Sequence, residues 1–211
     1  MTAVPSALTM LQGRGDTMVH RATRDVSSPR LAGASLWYGA AGVLVALAFV
    51  GNLLVEFEVA LVAASLMISP GVTLGAVAFL VAQLLLLWRL RPVSAAAPVG
   101  LGLAALGVAA AVVWSVLAVA AYADTALPGL RASAAGGLAL LALFGSVVVA
   151  GGVLSRLEGP TRRAAVGLWA IVLLVVAAGA ATWLGVPADW AITALYGTLA
   201  AALATTAHRL R

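Results

Sequence analysis

Along this chain the polar positions fall in narrow bands between long apolar runs, and the spacing of those bands predicts the architecture. A helix needs about 20 apolar residues to cross roughly 30 Å of hydrocarbon. Runs near that length, each bounded by charge or proline, extend over Leu31–Val55, Pro70–Leu90, Pro98–Tyr122, Ala132–Leu154, Ala164–Leu184 and Ala188–Ala207. They predict an all-α polytopic integral membrane protein with six transmembrane helices in three antiparallel hairpins. Residues 1–30 differ, with Pro5, Gly13, Gly15, scattered charges and little periodic hydrophobicity. They read as a flexible cytoplasmic N-terminal arm, and 31–211 as the six-span transmembrane domain. The arm is not a secretory signal by pattern, because no basic residue precedes its weakly apolar start and Pro5 breaks the run.

The segment between the first two runs is irregular: Glu56 and Glu58 interrupt it, and Ser69-Pro70-Gly71 follows. One helix from Phe57 to Leu90 would be about 51 Å long, more than an upright span needs. A separate crossing by Phe57–Ile68 would reach only about 18 Å and would invert every later arginine cluster. Ser69 can cap free amides, and proline fits the first helical position because it lacks the N–H that has no partner there. The expectation is therefore a second span starting at Ser69-Pro70, preceded by a short shallow or re-entrant outer helix that puts Glu58, Ser65 and Ser69 on one side.

Composition supports the membrane class: 64% hydrophobic and 9% charged residues leave too little polar surface for a water-soluble globule. Charge then sets the orientation. If Arg14, Arg21, Arg24 and Arg30 lie on one side, alternation puts Arg89, Arg91, Arg156, Arg162, Arg163, Arg209 and Arg211 there too. Only Arg131 dissents. Positive loops stay cytoplasmic, so both termini are expected inside, with Glu56, Glu58, Asp124 and Asp189 outside. This sidedness accounts for the net charge of +5 without a nucleic-acid partner. All 12 basic residues are arginine, which points compositionally to a prokaryotic plasma membrane. Tyr122, Trp183 and Trp190 fall near the outer interface and Trp37, Trp88 and Trp169 near the inner one, as aromatic belts do.

Candidate chemistry is sparse. The chain has no cysteine, so thiolate catalysis and sulfur-ligated metal are excluded, and His20 and His208 lie outside the apolar runs. No cofactor, metal or catalytic residue is expected. An intramembrane pump or hydrolase places ionisable groups at membrane depth, and here they sit at span ends or in loops. Gln83 is the deepest strong hydrogen-bonding side chain and the candidate path residue. Asn52 and Glu56 are four apart on one helical face. With Glu58 and Ser69 they form the candidate outer-face site. Arg89, Arg91, Arg162 and Arg163 are candidate contacts for anionic lipid headgroups or a partner.

Small residues recur at helical spacing: Ser35, Gly39, Gly42 and Ala46; Gly100, Ala104, Gly107, Ala111, Ser115 and Ala118; and Thr193, Gly197, Ala201 and Ala204. In lipid such stripes let helix backbones approach closely, within one chain or between chains. The leading expectation is a noncatalytic scaffold or accessory subunit, packed in the bilayer against other membrane chains or a second copy. The alternative is a small permease or transport subunit for a neutral or amphipathic solute. Its distinguishing mark is a continuous cavity reaching Gln83.

Overall fold

The computed structural model describes residues 31–59, 61–123, 126–157 and 160–211. The N-terminal arm and Asp124 lie outside the described residues. Six helices account for nearly all of the rest, with no strand among them: α1 Ala32–Glu56, α2 Leu61–Leu90, α3 Ala97–Ala123, α4 Ala126–Ser155, α5 Pro160–Trp183 and α6 Ala188–Arg209. All six are long and apolar enough to cross a membrane. The protein is thus a multi-pass helical membrane protein. In lipid only closed hydrogen-bonding patterns such as helices satisfy every backbone group, which is why the apolar runs take this form.

Sequential neighbours pack together, and α6 closes the circle onto α1. α1 and α2 are antiparallel: Gly51 faces Ala64 and Ile68, Gly71 faces Ala48 and Leu44, and Gly75 faces Val45. α1 and α6 run opposite ways as well, with Gly39 against Ala207, Gly42 against Ala204 and Phe49 against Gly197. α3 and α4 pair likewise through Gly100 with Val149 and Gly107 with Leu143. We call the end with Leu31 and Arg211 the terminal end and the opposite one the hairpin end. The small-residue stripes are thus occupied within the chain at Gly39, Gly42, Gly100, Gly107 and Gly197.

The expected shallow helix is not a separate element. Residues 61–68 are the first turns of α2, which continues unbroken through Pro70 and has 30 residues, about 45 Å. The reason is close backbone contact. A Cβ on Gly71 would lie 2.8 Å from the Leu44 carbonyl oxygen, and one on Gly51 would lie 3.0 Å from the Ala64 carbonyl oxygen. This contact holds residues 64–71 against α1. Pro70 sits on the exposed side of α2, where its ring costs one hydrogen bond to the carbonyl four residues back.

The turn into α2 is correspondingly tight. The Glu58 N–H donates to the Val55 carbonyl and the Val59 N–H to the Leu54 carbonyl, with Glu58 left-handed at φ 55°. This is a Schellman cap, a motif that usually places glycine at the left-handed position. α5 ends in the same way: Gly185 has φ 89°, its N–H donates to Thr182, and the Val186 N–H donates to Ala181.

Candidate functional site

The bundle encloses an apolar cavity of about 460 Å³. Val45 of α1, Gly75 of α2, Leu141 of α4, Val172 of α5 and Leu199 of α6 line it, each near the middle of its helix. The Tyr196 hydroxyl is its one polar side-chain group. Ala76, Leu140, Leu141 and Val175 on its rim are exposed, and each lies at or near the middle of its helix. Phe79, Val147 and Leu203 form the floor. One helical turn below them, Tyr38, Gln83, Ala150, Leu168 and Thr206 are all buried, so the cavity is closed toward the terminal end.

Gln83 therefore stands directly behind the floor. It is fully buried, 0% exposed, and its Oε1 accepts a hydrogen bond from the Tyr38 hydroxyl of α1. Its Nε2 has no partner. The Tyr38 ring meets Phe79 edge to face, with centroids 5.9 Å apart and planes at 68°. Phe79 lies four residues before Gln83, on the same face of α2, and lines the cavity. A phenylalanine ring and about one helical turn thus separate the apolar space from an incompletely bonded amide.

The outer-face candidates lie at the hairpin end of α1 and α2 and in the turn between them. Asn52 is partly buried on α1 and its Nδ2 has no partner; Glu56 ends that helix, and Glu58 is exposed in the turn beyond it. Ser69 belongs to the interior of α2 rather than to a helix start, and its side chain lies outside what is described. Thr193 of α6 is 3% exposed, and its hydroxyl also lacks a partner. The Phe49–Gly197 contact puts Thr193 and Asn52 at similar depth on the α1–α6 seam.

Arg89, Arg91, Arg162 and Arg163 are exposed at the terminal end, joined by Arg156, Arg209 and Arg211. The Arg91 guanidinium carbon lies 4.2 Å from the centroid of the Trp88 ring. Arg162 and Arg163 occupy the first turn of α5, where the helix dipole disfavours cations. Among the described residues, no three His, Cys, Asp or Glu side chains converge in a metal-binding group.

Comparison with family models, with curated proteins and with solved structures finds no match. Tyr38 and Phe79 are the residues that sequence reasoning missed. A signal for Tyr38 was present: a phenol a full two turns inside an apolar run must find a hydrogen-bonding partner. Gln83 was the one strong candidate at comparable depth. Nothing in the sequence distinguished Phe79 from lipid-facing residues.

Proposed function

We propose that this protein is a noncatalytic solute-binding membrane protein, a small permease or transport subunit for neutral, apolar or amphipathic molecules. The cavity carries this reading, although it ends at Phe79 and does not reach Gln83, the mark expected of a permease. Its volume lies within the range of about 300–1,000 Å³ usual for small-molecule sites, and its wall carries no carboxylate, amine, guanidinium or imidazole. The scaffold reading drew on small-residue stripes, and those are largely occupied inside the chain, so they no longer call for partner chains.

Ala76→Trp tests the site, because it puts an indole at the cavity rim from a position outside the packed core. Binding of decane by purified protein in amphipol should fall by about tenfold or more, while the protein unfolds at the same temperature. Undiminished decane binding would remove the cavity from the proposed function.

The same proposal places the protein in a prokaryotic plasma membrane with the terminal end in the cytoplasm. The exposed arginines of that end support it, as does the position of Arg162 and Arg163 in the first turn of α5, which topology explains and helix electrostatics does not. A green fluorescent protein fused after Arg211 should fluoresce in cells. A dark fusion that is active instead as an alkaline phosphatase fusion would reverse the orientation.

A further inference from the structure

The cavity is apolar, yet the lining stripe of α2 that runs through Gly75 and Phe79 continues at Gln83, the most polar buried side chain among the described residues. The stripe of α1 that reaches Val45 continues at Tyr38 in the same way. The two meet in one hydrogen bond, and that bond leaves the amide half satisfied. Turning the amide over would not complete it, since Nε2 would then donate to the phenol oxygen and Oε1 would be left bare. A buried polar atom without a partner is costly, and most native ones are satisfied by protein, water or ligand. The missing partner must reach the pair from the cavity side, because Leu86, Leu87 and Leu90 fill the next turns of α2 and are fully buried.

We propose that the cavity binds an uncharged amphiphile whose hydroxyl head passes Phe79 to bond Gln83, with its hydrocarbon tail filling the space toward the rim. This deepens the solute-binding reading above and rests on it. A hydroxyl both donates and accepts, so it completes the amide in either orientation. A charged head is disfavoured, because none of the lining residues supplies a counter-charge and burying an unpaired ion is expensive. Phe79 is the gate: its ring lies between cavity and amide, so the head reaches Gln83 only when that ring turns aside.

The test compares radiolabelled 1-decanol and decane, binding at equilibrium to the full chain in amphipol. The reference is the double variant Tyr38→Phe, Gln83→Leu, which replaces both polar partners by apolar groups of similar shape and so leaves no new orphan. Dividing the decanol-to-decane affinity ratio of the native chain by that of the double variant cancels partitioning into the amphipol. A quotient of about two- to tenfold is expected, the worth of one added hydrogen bond. A quotient of one, with both ligands bound, overturns the head-group assignment and leaves the cavity reading intact; that is also the result if water alone completes the amide. Failure of the native chain to bind either ligand overturns both. Should the double variant not fold, the same ratio is taken with Tyr38→Phe, Gln83→Met, which keeps the bulk and removes both polar groups, and the same quotients decide.

Discussion

The terminal half of the bundle and its hairpin half are built from the same residue types and pack differently. At the terminal end Leu31, Leu86, Leu87, Leu90, Leu154 and Leu168 are all buried, and the Ser35 hydroxyl ties α1 to α6 through the Ala207 carbonyl at 2.7 Å. α5 shows the change within a single helix. Its Ala164, Ala165, Leu168, Ile171 and Val172 are buried, and from Leu173 to Trp183 none is, Trp183 reaching 92% exposure. α6 does not follow it, since Ala191 and Thr193 remain buried near the hairpin end. The hairpin half of α5 is therefore less covered than its base, with Leu174, Ala178 and Ala181 only half-buried along one face. The cavity lies where the burial of α5 falls off, with buried side chains below it and exposed ones along its rim.

Two leucines five residues apart on α5 give the sharpest break of this comparison. Leu168 is 0% exposed and Leu173 is 67% exposed. Leu168→Ala should lower stability by about 2 kcal/mol or more, through lost contacts and the cavity left behind. Leu173→Ala should change it by less than about 0.5 kcal/mol. Thermal unfolding in mild detergent measures both. Equal losses would show that Leu173 is as well packed as Leu168.

A smaller effect separates the two Schellman caps at the hairpin end. Gly185 adopts φ 89° without steric cost, whereas Glu58 holds φ 55° with a Cβ. A left-handed residue with a side chain costs about 1–2 kcal/mol relative to glycine. Gly185→Ala should therefore destabilise by about 1 kcal/mol, and Glu58→Gly should stabilise by up to a similar amount, offset in part by the greater freedom of glycine in the unfolded chain. The same unfolding assay reads both. A loss of stability in Glu58→Gly would mean that the carboxylate makes a favourable interaction that the cap geometry alone does not explain.

The segment around Pro70 shows how local signals lose to packing. Ser-Pro-Gly is a sound helix start by its chemistry, and the length of the surrounding run argues for one. Instead the α1–α2 seam, with glycines at 51 and 71 admitting each backbone to the other, keeps the residues before Pro70 in line with those after it. Gly51 lay outside the stripes visible by spacing. Its meaning depends on what stands opposite, which a single helix does not reveal. Gln83 was legible as a deep polar residue, but its pairing with Tyr38 required the antiparallel register of α1 and α2.

The sequence by itself determined the membrane class, the six crossings and the gathering of arginines at one end. These follow from run length and charge, which bilayer thickness and lipid electrostatics read directly. The tertiary structure decided which apolar face is buried, that α2 is one helix, where the cavity lies, and which buried polar atoms remain unpaired. The physical reason is that lipid tails are as apolar as leucine, so the pattern that separates inside from outside in water disappears in the bilayer. Leu168 and Leu173 are the same residue in the same helix, and only the packing of α5 against its neighbours makes one of them core.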